Sequence, residues 1–186
     1  VEDLLDAYRW VVKTHNPKRL TVVGVSAGGG LALLLLQRIR DVNHASENGK
    51  PVLPKPHAAV LISPYLDLTH TSKASTKNQA TDILLGFDHL HNSKQIQRWV
   101  CHDLPLNSPQ CSPLFGSFWN LPPLCVVASD TEILYDDARS CVKKARSAGV
   151  QAKLVVGRGL CHMFPIFTGL FPEANIEKLK PDVWVV

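Results

Sequence analysis

Gly24-Val25-Ser26-Ala27-Gly28 fits the pattern G-x-S-x-G, with an apolar segment running into it and a helical pattern leaving it. A serine in that setting is a candidate nucleophile. Small neighbours let a strand turn sharply into a helix, and the turn lifts the hydroxyl clear of the sheet at a helix N-terminus. On this reading Gly24 and Gly28 avoid clashes between the two backbones, and the N–H of Ala27 faces a developing oxyanion. The plain alternative is a glycine-rich turn with a capping serine. Phosphate-cradle readings fail: a dinucleotide fingerprint needs glycine where Ser26 sits, and a Walker loop needs lysine where Gly30 sits.

A serine hydroxyl is a weak nucleophile at neutral pH and needs an imidazole base, itself oriented by a carboxylate. Of the histidines, His15, His44, His57 and His70 fall at helix ends or in loops near the first two apolar runs, and His89, His91 and His102 fall in a long irregular stretch. His162 differs, since it follows the last apolar run after Gly157-Arg158-Gly159. That loop belongs to the sheet end where open α/β folds bind ligands. Asp130, Glu132 and Asp136 follow another run, Leu124 to Ser129, and are the candidate acids. Asp136 is best placed to cap the helix after it.

The elements that must position these residues are legible from periodicity. Leu4, Leu5, Tyr8, Val11 and Val12 mark an amphipathic helix over residues 2–15, ended by Asn16-Pro17. Continuous apolar runs predict buried strands at 20–25, 57–63, 124–129 and 152–156. Between them, 27–40 reads as a helix buried on more than one side, 41–56 as a loop, and 136–148 as a helix with Gly149 beyond its end. Apolar strands alternating with helices predict an α/β fold, a mostly parallel sheet with helices on both faces. Residues 67–121 are too long for a plain crossover. They carry weak helical patterns at 82–90 and 94–101, and predict an insertion covering one end of the sheet, within one domain spanning 1–186.

The 186 residues suit one domain at roughly 150 residues per domain. The formal charge of +4 is too small and scattered for a nucleic-acid footprint. Five cysteines, an odd number with no C-x-x-C pair, argue against a disulfide scaffold and for a reducing, cytoplasmic setting. The longest purely apolar run, Leu31 to Leu36, is far below the roughly 18 residues of a membrane span. His89, His91, Cys101, His102 and Cys111 match no zinc spacing, so neither a metal nor another cofactor is expected.

The chain order Ser26, acid, His162 is that of the α/β-hydrolase triad, and the sequence resembles the hormone-sensitive-lipase-like branch of that superfamily, the esterases with a GDSAGG elbow. The resemblance rests on residues 24–30 (GVSAGGG), 63–68 (SPYLDL), 112–115 (SPLF), 121–124 (LPPL), 132–137 (EILYDD) and 159–164 (GLCHMF), in order. It implies a serine carboxylester hydrolase acting on a small-molecule ester through an acyl-enzyme. It also implies that Glu132, which opens the acid-x-Leu-x-Asp segment, is the acid, with Asp130 as the alternative. The insertion would then resemble part of the family's lid, with Phe87, Leu90, Trp99 and Phe118 lining an acyl pocket.

Two departures from that family stand out. Val25 occupies the position usually held by Asp, which implies tuning rather than loss of activity. The family's His-Gly-Gly oxyanion segment lies upstream of the elbow and has no counterpart here. The expectation is therefore the C-terminal part of a longer esterase, weakly active alone, since one missing oxyanion donor costs on the order of 100- to 1000-fold. Missing early strands would leave 20–25 as an uncovered sheet edge open to self-association. The competing expectation is a non-catalytic binding module on the same fold, as in the plant gibberellin receptors that resemble this branch; those lack a complete triad.

Overall fold

The computed structural model describes residues 1–46, 49–86 and 100–167. Its elements in chain order are α1 (Glu2–His15), β1 (Thr21–Val25), α2 (Ala27–His44), β2 (Ala58–Ile62), a short α3 (Lys73–Lys77), β3 (Leu124–Ser129), α4 (Tyr135–Ser147) and β4 (Ala152–Gly157), with 3₁₀ turns at Pro113–Phe115 and Phe164–Ile166. The four strands pair in the order β1-β2-β3-β4, all parallel. Parallel pairing brings every strand's carboxyl end to one side of the sheet, and the loops leaving Val25, Ile62, Ser129 and Gly157 crowd together there.

The period-2 alternation of the strands sorts their side chains. Ala59 and Leu61 of β2 join Leu124, Val126 and Ala128 of β3 against Leu33 and Leu36 of α2 and Ala138, Cys141 and Val142 of α4. Val60 and Ile62 point the other way, with Val127 and Phe164. A second cluster on α2 turns Leu35 and Ile39 toward Leu5 and Tyr8 of α1. The run of leucines in α2 is thus shared between two partners. Leu33 is fully buried, and truncating such a side chain to alanine typically costs about 2–5 kcal/mol.

Several boundaries differ from the sequence reading. Helix α2 continues to His44 instead of ending at Arg40. Val42 packs beside Leu53, and the Asn43 amide pairs with the Leu53 backbone both ways, Nδ2 donating to its oxygen and Oδ1 accepting its N–H, each at 2.8 Å. Residues 82–86, the described part of the expected 82–90 helix, are turns instead, fastened by Asp82, whose Oδ1 accepts the N–H groups of Leu84 and Leu85. Residues 87–99, which hold the rest of that pattern, most of 94–101, and Phe87, Leu90 and Trp99, lie outside the described residues. Phe118, expected at an acyl pocket, is packed in the main core, 2% exposed between α2, β2 and α4.

Among the described residues β1 lies at an edge of the sheet, with Val23 60% exposed. Among the described residues no helix is long and apolar enough to cross a membrane. All five cysteines lie among the described residues and none forms a disulfide. Cys101 and Cys111 are buried together beside Leu68, and burial pushes the Cys101 thiol up to about 12. Among the described residues no three His, Cys, Asp or Glu side chains are grouped to hold a metal ion. Of the histidines considered as ligands, His89 and His91 lie outside the described residues.

Candidate active site

The turn from β1 into α2 puts Ser26 at φ 53, ψ −121, a sparsely populated region for any residue but glycine, at a cost of order 1–3 kcal/mol. Its backbone is gripped from the end of β2 and the loop after it: Ser26 N–H donates to Ile62 O at 2.9 Å, and Tyr65 N–H donates to Ser26 O at 3.0 Å. Ala27 opens α2 and, as a first-turn residue, has no carbonyl a turn behind it to occupy its N–H.

The glycines divide differently from the sequence reading. A Cβ on Gly24 would lie 2.3 Å from Gly28 O, so Gly24 is required by close approach. Gly28 is not, since a Cβ there would meet nothing within 4 Å. The tight positions are Gly29 and Gly30, whose Cβ atoms would fall 2.7 Å from Pro64 Cβ and 2.4 Å from Tyr65 O. What presses on α2 is a loop more than thirty residues away in the chain.

His162 leaves β4 on the loop 158–163 and meets two of the residues singled out from the sequence. Its Nδ1 lies 2.7 Å from Glu132 Oε2 and its Nε2 lies 3.0 Å from Ser26 Oγ. The carboxylate oxygen accepts, so Nδ1 carries the proton and Nε2 is left to accept from the Ser26 hydroxyl. Glu132 and His162 are 0% and 1% exposed, which keeps water from competing for their contact. The other carboxylate oxygen of Glu132 accepts Ser129 N–H at 2.8 Å, fixing the side chain from behind. Cys161, next to His162, is held as a thiol, its pKa raised chiefly by burial.

The other two acids do something else. Asp130 accepts Gly159 N–H at 2.8 Å, tying the acid loop to the histidine loop. Asp136 does not cap its own helix, which starts one residue before it with Leu134 as N-cap. Its Oδ2 accepts the N–H of Ala74 in α3 at 2.9 Å instead, and its Oδ1 pairs with Arg139.

Residues that the sequence did not single out hold these loops. Asn78 Nδ2 donates to Asp130 O at 3.0 Å and to Glu132 O at 2.9 Å. The buried Asp82 accepts Ile133 N–H at 2.9 Å. The Ser129 and Thr131 hydroxyls both donate to Leu160 O. Each contact joins residues 29 to 54 positions apart, so no local pattern marks them. Beside the elbow, Ala27, Gly30, Leu31, Leu34, Tyr65 and Leu68 are among the residues lining a cavity of about 290 Å³.

A sequence profile described as alpha/beta hydrolase fold matches residues 1–166. The chain belongs to the alpha/beta hydrolase fold family. An esterase of Acinetobacter venetianus is 34% identical to this hydrolase over 176 residues, and an acetyl-hydrolase of Streptomyces hygroscopicus is 33% identical over 176 residues. Both matches cover 94% of the chain but only 54% and 55% of the relatives, so the chain spans about half their length. The solved structure of an esterase from the bacterial hormone-sensitive lipase family superimposes with a TM-score of 0.82 at 31% identity, covering 95% of this chain and 56% of the other. The chain is accordingly a hormone-sensitive-lipase-like α/β hydrolase.

Proposed function

We propose that this chain carries the catalytic centre of a serine carboxylester hydrolase, with Ser26 as nucleophile, His162 as general base and then acid, and Glu132 orienting the imidazole. The observation that carries the reading is the continuous run of contacts Ser26 Oγ to His162 Nε2 to Glu132 Oε2, at 3.0 and 2.7 Å, made by three loops from one end of the sheet. In the proposed cycle, Ser26 Oγ attacks the ester carbonyl carbon while its proton passes to Nε2. The Ala27 N–H stabilises the resulting oxyanion. Collapse expels the alcohol, protonated by His162, and a water activated the same way releases the acid from the acyl-serine. The apolar cavity beside Ala27 suits a hydrocarbon portion of the ester. The names of the relatives, an esterase and an acetyl-hydrolase, agree with this class of substrate.

The competing reading, a binding module on the same fold, has no use for a buried imidazole in contact with both a serine and a carboxylate. The test is labelling of the purified chain with a fluorophosphonate probe, read by intact mass, beside hydrolysis of p-nitrophenyl butyrate. Labelling and turnover that vanish in Ser26→Ala are expected. Absence of labelling in the unaltered chain would reject the hydrolase reading for this chain and favour the binding module.

A further inference from the structure

The last residue of β2 and the residues just past it hold the backbones on both sides of the Ser26–His162 contact. Ile62 and Tyr65 take the N–H and the carbonyl of Ser26, as described above. Between them in the chain, Ser63 Oγ accepts the N–H of Met163, the residue after His162, at 3.0 Å across 100 positions of sequence. Ser63 is fixed in turn: it has no exposed surface, and its N–H donates to Val127 O at 2.7 Å. Both ends of the bond are left-handed, Ser63 at φ 45 and Met163 at φ 60. Neither conformation is comfortable for a residue with a Cβ, and such backbones persist where the surroundings over-determine them.

The upstream side of His162 is tied to the acid loop through Leu160 and Gly159. Downstream, the tie is to the β2 terminus through Ser63. We infer that Ser63 is a positioning residue, which sets the Ser26 to His162 separation by anchoring the peptide after the imidazole to the same β2 terminus that anchors the nucleophile. The inference rests on the roles proposed above for Ser26 and His162. Its expected reach is large, because a displacement of about 1 Å in a reacting pair costs on the order of 100-fold in rate.

Ser63→Ala and Ser63→Gly both delete the hydroxyl, but glycine accepts φ 45 without strain and keeps the variant folded. In both, the fluorophosphonate labelling rate is expected to fall about 10- to 100-fold, and kcat on p-nitrophenyl butyrate to fall likewise with KM within about twofold. The thermal midpoint of Ser63→Gly is expected to stay close to that of the parent. Two readouts do not depend on activity: amide hydrogen exchange at Met163 is expected to speed up at least about tenfold, and the NMR signal of the His162 Nδ1 proton to broaden. Unchanged labelling and kcat in Ser63→Gly would overturn the inference while leaving the hydrolase reading intact. Should the parent chain itself fail to label, the hydrolase reading falls separately. Protection retained at Met163 with an unaltered imidazole signal would then overturn the positioning role, and loss of both in Ser63→Gly would uphold it.

Discussion

Replacing Asp137 with asparagine should remove a large part of the protein's pH dependence of stability. Asp137 is 4% exposed at the start of α4, and its Oδ2 accepts the N–H groups of Leu66 and Asp67, both at 2.9 Å. Burial raises its pKa, the two N–H groups pull it down, and the carboxylates of Asp67 and Asp136 raise it again, leaving it at about 7 against an ordinary 3.8. Native Asp137 therefore keeps a proton that the unfolded chain releases from about pH 4 upward. With the native pKa the higher of the two, the stabilisation is complete below about pH 4 and is lost as pH rises through about 7. Within that window the native state loses on the order of 1 kcal/mol per pH unit, or about 2–3 kcal/mol between pH 5 and pH 8. Asparagine offers the same oxygen to Leu66 and Asp67 and has no proton to lose. Urea unfolding of both proteins at pH 5, 6, 7 and 8 should show the parent falling relative to Asp137→Asn by that amount. Two stability curves running parallel across the range would refute the reasoning.

Further substitutions test the packing and the acid loop. Gly30→Ala, whose Cβ would sit 2.4 Å from Tyr65 O, should destabilise by about 1–3 kcal/mol in urea titration, whereas Gly28→Ala, facing open space, should be neutral or stabilising by a few tenths to about 1 kcal/mol. Equal effects at the two positions would contradict the assignment of the tight contact to Gly30. Asn78→Ala strips one donor from the carbonyls of Asp130 and Glu132, and is expected to cost about 1–3 kcal/mol and to slow fluorophosphonate labelling; a change in neither would remove Asn78 from the supports of the acid loop. Glu132→Gln keeps an acceptor for Ser129 N–H but loses the charge that orients the imidazole, so labelling should slow by roughly 1000-fold or more with the fold intact, and a rate within tenfold of the parent would count against its proposed role.

The sheet was legible because buried parallel strands carry continuous apolar runs: all four expected strands are present to within a residue at each end, and the helices leave the strands where periodicity changes from none to 3.6. Ser26 and His162 could be singled out because chemistry restricts residue type, whereas Glu132 stood apart from Asp130 and Asp136 only through the family resemblance; the fold brings Ser26, Glu132 and His162 together. What stayed hidden depended on distant neighbours. The steric demand at α2 falls on Gly29 and Gly30 because Pro64 and Tyr65 press there, which a five-residue motif cannot reveal. Asp136 reads as a local cap, yet its partner is Ala74, 62 residues away. Leucine positions gave the length of α2 only to Arg40, because its last turn is held by the Asn43 pairing with Leu53.

The same dependence explains why the supports of the site are serines, asparagine and aspartates rather than a conspicuous motif. Ser26, Ser63 and Met163 all adopt positive φ, and nothing in those residue types announces it. The strain at Ser26 is resisted by Ile62 and Tyr65, and the segment carrying Tyr65 is held in turn through Leu66 and Asp67 by the Asp137 carboxyl of α4. A proton on Asp137 thus bears on the same loop that grips the elbow. Asp137→Asn should therefore flatten the pH dependence of the Ser26 labelling rate near pH 7 as well as that of stability. If only stability flattens, α4 supports the loop without transmitting its protonation to the serine.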